Sequence, residues 1–159
     1  MSRRDEKHPK IGYYSQQFAK RLFARHPGWK AYADRYSEGD PELPEYFLEV
    51  TIPSANPQVV EPLIIRTCSK EIVSKWMEQW HAHIFPGPTQ SMEAHYEEAL
   101  ETIDLFVSDQ YLFANRYKDG ACLGGWGGMA GAMPKEYLQP QHGQTTVVRS
   151  WRGTYDREF

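Results

Sequence analysis

Apolar residues between Gly12 and Tyr36 recur at helical spacing: Tyr14, Phe18, Leu22 and Phe23, then Trp29, Tyr32, Ala33 and Tyr36 beyond a Pro27-Gly28 break. This pattern predicts one helix to about Arg25 and a shorter one after Pro27. "SEGDPELPE" (37–45) reads as a loop. The rhythm then changes. "YFLEVTIP" (46–53) and "LIIRTCS" (63–69) read as strands, paired through the proline-bearing connection "SANPQVVEP".

The segment "KEIVSKWMEQWHAHIF" fits two templates. As a helix it groups Ile72, Val73, Trp76, Met77 and Trp80. As a strand it groups Ile72, Trp76, Trp80, Ala82 and Ile84, with Ser74 and Glu78 as interruptions. Periodicity alone leans towards helix.

"SMEAHYEEALETIDLFVSD" (91–109) is the clearest helix. Met92, Tyr96, Ala99, Leu100, Ile103 and Phe106 form its apolar stripe. Thr89 or Ser91 can cap it, and Glu93 or Glu97 suits the positive end of its dipole. Its polar surface is Glu93, Glu97, Glu98, Glu101 and Asp104, followed by Asp109, with no lysine or arginine. Exposed helices usually interleave charge signs for i,i+4 support, and this one accepts like-charge repulsion instead.

Beyond it, Lys118-Asp119-Gly120-Ala121 sets Asp-Gly between two strand-like runs, a strong hairpin signal. "GGWGGMAGAMP" (124–134) reads as a glycine-rich loop and "KEYL" as a helical turn. "TTVVRSWRGTYD" (145–156) reads as a closing strand with Val147, Arg149, Trp151, Gly153 and Tyr155 on one face. The order of elements predicts an α+β fold. It is a single domain over 11–159: a largely antiparallel sheet of five to six strands, an N-terminal helical segment and one long acidic amphipathic helix. Residues 1–10 are polar and expected to be disordered.

Composition narrows the function. A chain of 159 residues suits one domain, and a net charge of −3 argues against a general nucleic-acid binder. Charge is uneven, however. Residues 1–40 carry nine Lys/Arg against five Asp/Glu, and residues 41–109 carry three against twelve. The acidic middle suits a basic partner, or else is simply a solvated face. Cys68 and Cys122 fit no CxxC pattern and indicate a reducing compartment, with a single bridge between them as the alternative. No apolar run reaches the length of a membrane span, and no apolar region follows the basic N-terminus as in a secretory signal. The chain therefore reads as cytoplasmic.

Four candidates for chemistry stand out. His81 and His83 share a face if their segment is a strand, but a zinc site needs further ligands, with His95 a candidate. As a helix the pair is no clamp. Either cysteine could be a nucleophile, although neither has a recognisable nucleophile context. The paired carboxylates of 93–104 lie on consecutive turns of one helix, which suits an electrostatic surface better than an acid–base pair in a cleft. Trp126 is either a hot spot on an exposed loop or a plug folded into the core. The "GGWGGMAG" run lacks the GK[ST] ending of a phosphate loop. In the closing segment, Asp156 could pair with an arginine.

"WHAHIF" (80–85), "EEALETIDLFVSDQ" (97–110), "RYKDGACLGG" (116–125) and "RSWRGTYD" (149–156) occur in an order that resembles the small immunity proteins of bacterial contact-dependent inhibition and related polymorphic toxin systems. The resemblance covers residues 46–156. It implies that segment 70–80 belongs to a long strand, and that the "WHAHIF" and "SWRGTYD" elements hold the fold. It also implies a cytoplasmic, non-catalytic protein without cofactor. Such a protein forms a stoichiometric complex with a cognate toxin domain, often a basic nuclease, and contacts neither nucleic acid nor membrane directly. Under this reading Glu93, Glu97, Glu98, Glu101, Asp104 and Trp126 are the candidate partner-binding residues. The alternative is a small metal-dependent hydrolase using His81 and His83. Oligomeric state is not legible at this stage.

Overall fold

Strict alternation in "LIIRTC" buries Leu63, Ile65 and Thr67 and turns Ile64, Arg66 and Cys68 to the opposite face. That strand lies at the centre of a five-stranded antiparallel meander. The computed structural model describes residues 11–37, 46–77, 81–139 and 141–159. The predicted disorder of 1–10, all but the first residue of the 37–45 loop, and Trp80 lie outside them.

The meander runs in chain order: β1 (Ala33–Ser37), β2 (Tyr46–Ile52), β3 (Leu63–Cys68), β4 (Glu71–Lys75) and β5 (His81–Ile84). A second antiparallel sheet contains β6 (Tyr111–Lys118), β7 (Ala121–Met129), β8 (Thr145–Ser150) and β9 (Arg157–Glu158), in the order β7-β6-β8-β9. The helices are α1 (Tyr13–Arg25), α2 (Met92–Val107) and the single turn α3 (Lys135–Leu138). Two short 3-10 helices cover Pro27–Tyr32 and Ala130–Ala132. The class is α+β, as expected. In place of one sheet of five to six strands, the described residues form nine strands in two sheets.

Each difference has a physical cause. Residues 33–37 continue the helical apolar rhythm, yet they pair with β2 as a strand, Ala33 opposite Val50 and Ser37 opposite Tyr46. Segment 70–84 is not one long strand. It breaks after Lys75, with Met77 in the left-handed region at φ 60°, and returns as a hairpin that sets Val73 opposite His83. The closing strand likewise stops at Ser150. A turn with Gly153 at φ 81° sends the chain back, so β9 pairs with β8. The Asp-Gly hairpin is present as predicted. Asp119 (φ 49°) and Gly120 (φ 80°) both take positive φ, as a type I′ turn requires.

The main core gathers Phe18 and Leu22 of α1, the inward residues of the first sheet and the apolar stripe of α2. Trp76 is its keystone. It is fully buried, and its ring meets the edges of Phe106 at 5.2 Å, Phe113 at 5.5 Å and Trp151 at 5.7 Å. One side chain thus joins the end of β4, α2, β6 and the residue that follows β8. Leu112, Ala114 and Val148 form a smaller cluster on the other face of that sheet, against Met133 and Tyr137.

The "SWRGTYD" segment is a hydrogen-bonded knot. Asp109 accepts from the backbone N–H of Arg152 at 2.7 Å and Thr154 at 3.3 Å. Asp156 accepts from the Ser150 N–H at 2.9 Å, and Asn56 Nδ2 donates to both Asp156 (2.8 Å) and the Ser150 carbonyl (2.8 Å). Arg149 pairs with Asp156 at 3.7 Å, the arginine partner expected for that carboxylate. Three distant segments are fastened at one point.

Candidate functional site

Helix α2 owes its position to its two faces. Ser91 caps it by accepting the Ala94 N–H at 3.2 Å. His95, Tyr96, Ala99, Leu100, Ile103 and Phe106 are buried, so Glu93, Glu97, Glu98 and Glu101 are held in solvent. The predicted stripe holds except that Met92 is half-buried, and His95, not expected in it, is fully buried within it.

Helix α1 packs beside α2 and meets part of its charge. Arg25 reaches Glu97 at 2.8 Å and Asp104 at 3.2 Å. Arg21 approaches Glu93 at 3.6 Å, and His26 Nε2 lies 2.7 Å from Asp104. His26 in turn stacks on Trp29, with ring centroids 3.9 Å apart. The acidic row therefore divides. Glu93, Glu97 and Asp104 pair with Arg21, Arg25 and His26, whereas Glu98 and Glu101 form no ion pair among the described residues. Glu98 accepts from Gln90 Nε2 at 2.8 Å. Glu101 and Asp104, with Leu105, Ser108 and Gln110, line an open depression of about 390 Å³. The basic N-terminal third and the acidic middle third partly answer each other inside one molecule. That asymmetry was visible in the sequence, but its internal use was not. Asp109, the sixth acid of the series, is buried in the knot and belongs to no surface.

Beneath the ion pairs lies a neutral contact. The Tyr14 hydroxyl is 2.6 Å from His95 Nε2, and the Tyr96 hydroxyl donates to the Tyr14 carbonyl at 3.2 Å. His95 Nδ1 is buried without a hydrogen-bond partner. Burial lowers the His95 pKa below its ordinary value, against the opposing pull of the Glu98 carboxylate and the Lys70 backbone. Burial also raises the Tyr14 pKa, so its hydroxyl stays protonated.

Trp126 lies on a strand and not on a loop. Residues 121–129 pair with β6 except at Leu123, where the register shifts, and Trp126 sits opposite Ala114. The ring is half-buried and lies along its own strand, where a Cβ on Gly128 would come within 2.5 Å of it. It is not a plug in the main core. Glycine-rich composition argues for a loop, but a neighbouring strand supplies the ladder that composition does not encode.

His81 and His83 do share a face of β5, with ring centroids 4.8 Å apart and planes near perpendicular. Both are exposed on the edge strand of the meander. His83 Nδ1 hydrogen-bonds the Glu71 carboxylate, and its ring stacks on Phe85. His95, the suggested third ligand, is occupied with Tyr14. Among the described residues no group of three or more His, Cys, Asp or Glu is placed to hold a metal. Cys68 and Cys122 are free thiols, so the alternative bridge does not form. No helix among the described residues is long and apolar enough to cross a membrane.

No protein-family model matches the chain, and neither a curated protein nor a solved structure does.

Proposed function

We propose that the chain is an immunity protein: a non-catalytic inhibitor that neutralises a cognate toxic domain by forming a stoichiometric complex in the cytoplasm of the producing cell. The observation that carries this reading is the outward face of α2. Of its five carboxylates, three pair with two arginines of α1 and with His26 at its C-terminal cap, so the ridge stays net negative. Glu98 and Glu101 take no part in those ion pairs. A basic partner, such as a nuclease domain with a phosphate-binding cleft, gains steering and specificity from such a ridge. The Glu101–Asp104 depression is open to an incoming lysine or arginine. The order of the sequence motifs supports the same reading, and the knot built by "SWRGTYD" fits the structural role which the resemblance implies for that element.

The test is capture with the tagged protein from its native cells, followed by expression of any partner's C-terminal domain. The expected result is one partner ending in a basic domain that is toxic alone, harmless on co-expression and titrated at one to one. A captured domain whose toxicity persists on co-expression would overturn the reading.

A further inference from the structure

Four strands lie at sheet edges: β1, β5, β7 and β9. Edge strands offer unpaired backbone N–H and C=O groups, and proteins usually blunt them by shortness, charge or proline. β9 has two residues and β5 has four. β1 has five and includes Asp34 and Arg35. β7 is different. It is nine residues long, and from Ala121 to Met133 the chain has no charge and no proline. Leu123 and Met129 are 54% and 41% exposed at its two ends.

The sequence of this edge reads nearly the same in both directions: Leu123-Gly-Gly-Trp126-Gly-Gly-Met129. We propose that β7 pairs antiparallel with β7 of a second copy about a two-fold axis at Trp126, joining two four-stranded sheets into one of eight strands. In that register Leu123 faces Met129 of the other copy, Gly124 faces Gly128, and Gly125 faces Gly127. Each residue meets one of its own parity, so outward N–H and C=O groups meet outward ones in either hydrogen-bonding phase. A strand with charge would confront its own charge across such an axis, and β7 has none to confront. The tryptophans do not collide. Each ring leans along its own strand towards Gly128, so the two diverge from the axis, and the absent Cβ of Gly128 makes the space. In the joined sheet only the two-residue β9 remains as an edge. The register shift between Arg116 and Tyr117, which bulges β7 at Leu123, and the 3-10 helix starting at Ala130 limit the regular ladder to about five residue pairs. An interface that small falls at or below the low end of stable areas, so the association is weak and calls for micromolar concentrations or higher to be seen.

The mass of the full chain in solution, measured by sedimentation from about 1 to 100 μM, tests this. The wild type should rise from 18.5 kDa towards twice that mass. The double variant Leu123→Lys, Met129→Lys should stay at 18.5 kDa. The charge-complementary pair Leu123→Lys, Met129→Glu should dimerise again, because only this register sets the two positions opposite. A monomeric wild type at the highest concentration overturns the proposal, as does a folded Lys/Lys variant that still dimerises. Should that variant not fold, hydrogen exchange on the wild type decides. Amides of Gly124 to Gly128 should gain protection with concentration, and unchanged exchange together with a constant mass overturns the pairing.

Discussion

The Tyr14 hydroxyl of α1 and the Nε2 atom of His95 in α2 lie 2.6 Å apart, beneath the ion pairs that join the same two helices. Replacing Tyr14 with Phe strands the ring nitrogen in a buried site. The expected cost is about 1–3 kcal/mol, measured by urea unfolding.

The same pair sets a pH dependence. His95 binds its proton less readily in the folded chain than in the unfolded one. Between the ordinary histidine value of about 6.5 and the lower folded value, the unfolded state therefore holds more protons. Stability should fall as pH drops through that window, and the loss should be complete below the folded pKa. Thermal melts of wild type and His95→Gln between pH 7.5 and 4.5 check this. The difference between the two profiles should vary across the acid side of that range and be flat above it.

Trp76 should be the most sensitive core position. Trp76→Ala removes ring contacts to α2, to β6 and to Trp151 at once, and should cost about 3–5 kcal/mol. Against a typical total of about 5–15 kcal/mol, this loss should sharply reduce the yield of soluble folded protein. Trp76→Phe should cost less. It keeps an aromatic ring there and removes an indole N–H that has no hydrogen-bond partner. Circular dichroism melts rank the two.

Asp109 combines two roles. Its carboxylate accepts two backbone N–H groups of the closing turn, and its own backbone sits at φ 67°. Asp109→Ala loses both the acceptors and the tolerance for that conformation, at about 2–4 kcal/mol. Asp109→Asn keeps one acceptor oxygen and the tolerance, and should cost about 1 kcal/mol. Chemical denaturation distinguishes them.

On the proposed inhibitor function, Glu98→Gln with Glu101→Gln should slow association with the basic partner about tenfold at low salt. Dissociation should change little. The difference should shrink near 1 M salt, where the screening length is about 3 Å. Stopped-flow association at several salt concentrations measures it.

How far the sequence could be read depended on whether a signal was local. The α2 stripe, the β2 and β3 alternation and the Asp-Gly turn are periodic or conformational properties of short segments, and they were legible. β1 was misread because its helical rhythm is overruled by a partner strand. β7 was misread because glycines have weak intrinsic preference for a strand, while β6 supplies its pairing. Of the candidate site residues, exposure on α2 followed from periodicity for Glu98 and Glu101. The pairing of Glu93, Glu97 and Asp104 with Arg21, Arg25 and His26 spans about seventy to eighty positions, which no local pattern encodes.

The sequence by itself determined the α+β class, the amphipathic acidic helix and the turn chemistry, because side-chain periodicity and backbone preference act within a few residues. Only the tertiary structure decided that the strands form two sheets, that Trp76 joins them, and which carboxylates are answered by α1. Those outcomes depend on which surfaces meet, and burial and charge pairing act between segments far apart in the chain.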